Sequence, residues 1–456
     1  MSSRSGTPDL STLVGALPAG VVVTGAAEIE KYREDFAHEG FAGKPLAVVR
    51  PARAQEVQTA VRWAAEHGVP IVPRGAGTGL SGGSAAIDNG ITISLERMRD
   101  IEIDVASQVA IVEPGALNVE VKKAAQEHGL WYPPDPSSYE ICSIGGNVAT
   151  NAGGLCCVKY GVTADYVLGL DVVLADGTLV TLGGKRIKDV AGLPLLKLFV
   201  GSEGTLGIVT RTILRLIPAQ HAGSTLVARF ATMAAASHAV VAIRSSTRPS
   251  MLELMDKVSI NAVEDWRSHG LDRSSGALLL AQSDAPDAAC VSEIEAIRMC
   301  CEEAGALEVF TTADASEADL LVSARRNTFV ALEERGQLLF EDVGVPIPHL
   351  PDLIAGVAEI AQRNDVEIAV VAHAGDGNTH PVVVYDPLSE PRARAAFGEI
   401  MALAIRLGGT ITGEHGVGRS KKNALPAQLG PDVMALTRRV KDALDPHGIM
   451  NPGAIL

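Results

Sequence analysis

Three runs in the first half of this chain carry more glycine than helices or strands can use. They are PRGAGTGLSGG at 73–83, SIGGNVATNAGG at 143–154 and GSEGTLGIVT at 201–210. Glycine weakens the interior of either regular element, so these runs are loops joining the apolar stretches around them. Consecutive backbone N–H groups in such loops can form a concave anion site, and the missing Cβ atoms let a diphosphate approach closely. The first run has GxGxxG-like spacing. It opens no regular helix, however, and lacks the acidic residue that a Rossmann site would place on a ribose.

Around the loops the elements alternate. Residues 1–43 read as a helical, partly irregular lead-in. PLAVVRP is a short strand, and AQEVQTAVRWAAEHG sets Val57, Ala60, Val61 and Ala64 on one helical face, with Gly68 as its C-terminal cap. VPIVPRG and VAIVEPG are further strands, and Asn118 is positioned to cap the helix VEVKKAAQEHG. VLGLDVVLADGTLVTLG reads as a hairpin with Asp176-Gly177 as a two-residue turn, and IVTRTILRLIPA as a strand closing a domain near Pro218. Beyond it STLVARF, ALLLAQS, LEVFTTA, QLLFEDVGVP and EIAVVAH alternate with helical stretches. That order predicts a smaller antiparallel sheet backed by helices. With 456 residues, two domains are expected.

The net charge of −15 argues against nucleic acid as a partner and against unaided binding to an anionic membrane. No apolar run reaches the roughly 20 residues that span a bilayer, and the polar, proline-broken N-terminus lacks a signal-peptide core. Six cysteines include the neighbours Cys156–Cys157 and Cys300–Cys301 without a CxxC. They suit neither a disulfide framework nor an iron–sulfur ligand set. Reduced thiols in a cytoplasmic protein are expected, and electrons leaving this chain must go to another molecule.

The second half concentrates its chemistry in VAHAGDGNTHP and GEHGVGRSKK, which offer His373, His380, Glu414 and His415. Two imidazoles and one carboxylate suit a divalent metal with open positions, leaving His415 as a proton acceptor. A glycine-rich turn bearing core histidines is the bland alternative. The same donor set serves non-heme iron oxygenases, which have no use for three diphosphate-friendly loops. Glu414 and His415 are adjacent, and Gly416 and Gly418 favour an irregular loop in which both can face one pocket.

PRGAGTGLSGG, PPDPSS at 133–138, SIGGNVATNAGG and GSEGTLGIVT together resemble the FAD-binding domain of the vanillyl-alcohol oxidase/PCMH flavoprotein family. HAGDGNTHP, GEHGVGRSK and the terminal MNPG are similar to the C-terminal domain of its FAD-linked oxidases, the group of glycolate oxidase, D-lactate dehydrogenase and D-2-hydroxyglutarate dehydrogenase. The resemblance implies an α+β fold. Residues 44–218 would form a PCMH-type FAD domain of two α+β subdomains. Residues 219–456 would form a substrate (cap) domain with an antiparallel sheet backed by helices, its tail returning to the flavin.

By motif, the resemblance places Arg74, Gly75, Ala76, Gly77, Thr78, Gly79 and Ser81 around the FAD diphosphate. Pro136, Ser143, Gly146, Asn147, Thr150 and Gly153 would line the ribityl chain and ring, with Glu203 and Ile208 toward the adenine and Asn451 on the flavin side. Covalent members carry a histidine in the first loop; here Ala76, Gly77 and Thr78 stand there, which implies noncovalent FAD. His373, His380 and Glu414 would bind zinc or manganese. His415 would be the base, Arg325 would hold the substrate carboxylate, and Asn378 would donate to substrate or flavin. Lys421 reads equally as a pocket cation or a surface charge.

The implied reaction is oxidation of a D-2-hydroxy acid to the 2-oxo acid. Electrons would pass to a quinone, cytochrome, electron-transfer flavoprotein or Fe-S subunit. The 2-hydroxyglutarate members hold the distal carboxylate with a threonine and a lysine, at positions occupied here by Phe329 and Phe340. Aromatic groups there disfavour a second carboxylate and point to lactate, glycolate or 2-hydroxybutyrate. A flavoprotein subunit of a glycolate oxidase-type complex, a 2-hydroxyglutarate enzyme and an oxygen-using oxidase remain the alternatives. A homodimer is compatible with all of them.

Overall fold

The computed structural model describes residues 8–38, 40–221 and 223–456, so the first seven residues of the lead-in lie outside the described residues. Two compact units divide the chain. One comprises Met1–Ala152, Val162–Ala219 and Glu414–Leu456; the other comprises Gly153–Gly161 and Gln220–Gly413.

In the first unit the helix Ala54–His67 buries Val57, Ala60, Val61 and Ala64, the face its periodicity marks. Gly68 ends it in the left-handed region at φ 65°. The helix packs with a four-stranded sheet in the order Val22–Val23, Ala47–Val49, Ile91–Ser94, Ile71–Arg74. The last three strands are parallel, and Val22–Val23 brings the lead-in to the edge in antiparallel pairing. The C-terminal tail lies against Ile71: its N–H donates to the Ile449 carbonyl at 2.7 Å, and Asn451 N–H donates to the Ile71 carbonyl at 2.8 Å.

A second, five-stranded antiparallel sheet runs Ile101–Asp104, Val109–Val112, Ile208–Arg215, Val167–Val173, Leu179–Gly183. Two local expectations change here. The N-cap of Asn118–Gln126 is Leu117, whose N–H is capped by the Glu120 carboxylate at 2.8 Å. Asn118 is buried instead, donating to the Pro134 carbonyl and Asn147. The 167–183 hairpin closes through a longer turn than Asp176-Gly177 alone. Leu174 N–H bonds Thr178 O and Gly177 N–H bonds Leu174 O, with Gly177 at φ 77° supplying the left-handed residue of a three-residue loop.

The second unit is built on an antiparallel sheet, as expected, but with eight strands it is the largest among the described residues. Its path runs Glu308–Thr312, Ser224–Phe230, Ala277–Ser283, Met251–Asp256, Glu367–His373, Asn378–Tyr385, Gln337–Phe340, and Val343–Gly344 also pairs with Asn378–Tyr385. Every residue of Met251–Asp256 is buried, because this central strand is covered on both faces. Leu350–Asn364 is the amphipathic helix that its pattern predicts. Among the described residues no disulfide joins the cysteines, and no helix is long and apolar enough to cross a membrane.

Candidate active site

The strand Ile71–Arg74 delivers the chain into the first glycine loop. At Gly75 an added Cβ would strike Ser143 Oγ, and at Gly77, held at φ 80°, it would strike the Arg74 guanidinium. Ser143 caps the helix Ile144–Thr150 by accepting from Gly146 N–H at 3.3 Å, and it also accepts from Ala76 N–H at 3.2 Å. One hydroxyl thus laces the first loop to the second glycine run, most of which is this helix and not the loop expected from its glycines. Gly75, Thr78 and Gly79 are half-buried and Ala76 is exposed, so the loop backbone stays accessible. Arg74 is buried; desolvation lowers its pKa, and the Asp35 carboxylate opposes that shift. A side-chain-free cradle with a buried guanidinium fits a dinucleotide diphosphate.

Several expected cofactor contacts have internal duties. Thr150 Oγ1 bonds the Gly146 carbonyl at 3.1 Å, and Asn147 accepts from Asn118 at 3.1 Å. The Pro136 carbonyl accepts from Tyr139 N–H, while Gly153 begins the segment belonging to the second unit. Ile208 is in the hydrophobic core of the first unit. Asn451 was expected to donate to the flavin; its amide N–H groups are engaged by the Gly83 and Glu203 carbonyls at 2.8 and 2.7 Å. Its Oδ1 accepts from Arg419 at 3.2 Å. Asn451 is therefore a clip that holds the tail to the glycine loops.

Glu203 clamps the loop after His415. Its carboxylate accepts from Val417 N–H at 2.7 Å and Gly418 N–H at 2.8 Å. Burial pushes its pKa up to about 7, against the pull of those N–H bonds and of the Lys421 and Arg419 charges. Ser81 Oγ bonds the His415 and Gly416 carbonyls at 3.1 and 2.9 Å. With Gly416 and Gly418 at φ 86° and 51°, the segment is the irregular turn that its glycines require. Lys421 is 1% exposed, which makes it an interior cation and no surface charge.

In the second unit, strand pairing brings the histidines together. His373 pairs with Asn378 and Val371 with His380, so the two histidines stand two residues apart on one face of a hairpin. Their rings are 5.0 Å apart and nearly perpendicular, at 87°, and both are buried. Nδ1 of His373 lies 2.8 and 2.9 Å from the two oxygens of Glu253, and Nδ1 of His380 lies 3.5 Å from Asp342 Oδ1. With Nδ1 of His373 donating to Glu253, its lone pair is on Nε2, the usual arrangement behind a metal-bound histidine, while Asp342 stands by His380 as a nearby charge. The donor set fits a divalent ion.

Arg325, 1% exposed, lies in the last turn of the helix Ala315–Arg326, with Nη2 3.0 Å from Glu253 Oε2. Asn378 is buried, and its Oδ1 has no hydrogen-bond partner among the described residues. Phe329 meets Phe340 edge to face at 5.4 Å and His380 at 5.9 Å, forming an aromatic wall beside the imidazole. Thr412 Oγ1 donates to Asp342 at 2.7 Å and Gly413 N–H to the Asp342 carbonyl at 3.0 Å; Glu414 and His415 follow directly in the chain.

Sequence reasoning missed Glu253 and Asp342. Glu253 interrupts the apolar strand MLELMD and Asp342 lies between the strands Gln337–Phe340 and Val343–Gly344; a carboxylate inside a buried run is itself a signal.

Two family models match this chain: the FAD binding domain over residues 45–183, and the FAD linked oxidases, C-terminal domain, over 219–455. Glycolate oxidase subunit GlcD of Bacillus subtilis is 41% identical over 90% of this chain and 88% of its own length. D-lactate dehydrogenase of Archaeoglobus fulgidus is 34% identical over 91% and 92%. Among solved structures, p-cresol methylhydroxylase shares the fold at TM-score 0.81 and 19% identity, over 97% of this chain and 95% of its own. The C-terminal model spans more than half of the sequence and takes in Arg325, both histidine motifs and Glu414. The chain therefore belongs to the FAD-linked oxidase family and is an FAD-dependent oxidoreductase.

Proposed function

We propose that this enzyme oxidises a D-2-hydroxy acid with a small or apolar side chain to the 2-oxo acid, using noncovalent FAD and a divalent metal, zinc or manganese. The single observation that carries the reading is the buried imidazole pair, each Nδ1 facing its own carboxylate, in a chain whose relatives are named for glycolate and D-lactate. When bound, FAD would supply the hydride acceptor and the metal the Lewis acidity that eases loss of the hydroxyl proton.

The chain's own residues supply the rest. His373 and His380 would hold the metal, with Glu414, next after Gly413, as third ligand. His415 takes the hydroxyl proton. Arg325 holds the substrate carboxylate through its planar guanidinium, and Asn378 offers a buried amide to the substrate. Phe329 and Phe340 stand where a threonine and a lysine would hold a distal carboxylate, and their aromatic wall favours lactate, glycolate or 2-hydroxybutyrate over 2-hydroxyglutarate. Electrons pass to a separate acceptor.

Anaerobic mixing with a panel of D- and L-2-hydroxy acids tests the reading. A D-monocarboxylate should bleach the flavin fastest, and failure of every 2-hydroxy acid to bleach it would refute the assignment. A second reading, a subunit that needs a partner assembly, is favoured by the relative named as a glycolate oxidase subunit. Turnover of the isolated chain with an artificial dye separates the two, and comparison with the peroxide yield detects an oxygen-using oxidase.

A further inference from the structure

Glu253 lies in the middle of a central strand whose other side chains, apart from the terminal Asp256, are aliphatic or methionine, and it is 0% exposed. The strand register pairs Leu254 with Ala372 and Met255 with Val371, which sets Glu253 on the next rung, beside His373. Met251 and Met255, on its own face, pack in the core with Val371 and Val382. An aliphatic side chain would continue that packing. A buried carboxylate is costly unless charge and hydrogen bonds compensate it, and an apolar replacement is often as stable. The position therefore calls for a reason other than packing.

Its two contacts provide one. Both carboxylate oxygens face Nδ1 of His373, and Oε2 also lies 3.0 Å from Nη2 of Arg325. The second approach is an ion pair without the alignment of a directed hydrogen bond, so charge is what Arg325 draws from it. We propose that Glu253 is a positioning residue serving both partners at once, fixing the proton of His373 on Nδ1 and holding the Arg325 guanidinium beside the same imidazole. One buried carboxylate thereby sets the distance between the metal ligand and the group that anchors the substrate carboxylate. The proposal rests on the reading of His373 as ligand and Arg325 as anchor.

Two substitutions separate the roles. Glu253→Gln keeps an acceptor for His373 but loses the charge and turns an amide NH2 toward Arg325; Glu253→Ala removes both contacts. Zn2+ affinity is read by chelator competition on the metal-stripped protein, alongside FAD content, KM and kcat. Glu253→Ala should bind Zn2+ about 10–100-fold more weakly, the usual cost of losing a partner behind a metal-bound histidine. Glu253→Gln should lose less metal affinity and raise KM more than it lowers kcat. A folded, FAD-loaded Glu253→Gln protein with unchanged Zn2+ affinity and unchanged KM overturns the proposal, whether or not Glu253→Ala folds.

The wild type provides an arm that needs no variant at position 253. In the metal-stripped protein labelled with 15N-histidine, the His373 ring, identified by its loss in His373→Gln, should carry its proton on Nδ1; an Nε2–H ring overturns the proposal. A wild type that takes up no divalent ion sinks the metal reading itself. That outcome is distinct from a wild type and a variant that bind the ion equally.

Discussion

Nδ1 of His373 lies 2.8 and 2.9 Å from the two carboxylate oxygens of Glu253, although 120 residues separate the pair in sequence. The contact orients the imidazole before any ligand arrives, because the ring cannot turn without losing that charged acceptor. Ligand loss should therefore act on the metal and spare the flavin. His373→Ala or His380→Ala should abolish stoichiometric metal and lower turnover by several orders of magnitude, with FAD content unchanged. Metal analysis beside the flavin absorbance checks this, and full activity in a metal-free preparation would refute it.

His415→Asn should keep metal and FAD but slow flavin reduction by about 10²–10⁴-fold, the range for a positioned general base. Stopped-flow reduction at saturating substrate isolates that step. Reoxidation by a dye should be nearly unchanged, and normal reduction would make His415 a bystander.

Glu203 gives stability a pH dependence with a definite sign. Burial raises its pKa from 4.5 to about 7, so the folded state holds the proton more tightly than the unfolded chain does. Its contribution is fully present below the unfolded value and is lost as pH rises through about 7. The loss is on the order of 3 kcal/mol at most. Thermal melts from the unfolded value of 4.5 to about one unit above the folded value of about 7 should show the wild type falling relative to Glu203→Gln. Parallel curves would mean that the carboxyl titrates normally.

No histidine stands between Arg74 and Gly83, so FAD should leave with denaturation. Acid precipitation followed by absorbance of the supernatant reads this directly. Yellow colour retained by the pellet would show a covalent link elsewhere.

The aromatic wall predicts a specificity change. Phe340→Lys, beside Phe329 and near His380, should raise kcat/KM for 2-hydroxyglutarate relative to D-lactate by about tenfold or more, by supplying a cation for the distal carboxylate. An unchanged ratio would place the substrate side chain away from this wall.

Sequence alone determined the elements whose reasons are local. The buried face of Ala54–His67 follows from helical periodicity, its stop from Gly68, and the irregular turn after His415 from glycines that adopt positive φ. The first glycine loop was legible because its glycines suit no regular element, and the histidine motifs because a short hairpin brings His380 back beside His373; the second glycine run, expected as a loop, folds instead as the helix Ile144–Thr150 capped by Ser143. Tertiary structure alone decided which groups stand behind those histidines. Glu253 and Asp342 reach them through pairing between strands distant in sequence, a register that no local pattern encodes. The same cause moved Asn451 from expected flavin donor to structural clip. Where its two N–H groups go depends on Gly83 and Glu203, 368 and 248 residues away, which only the folded chain brings within hydrogen-bond distance.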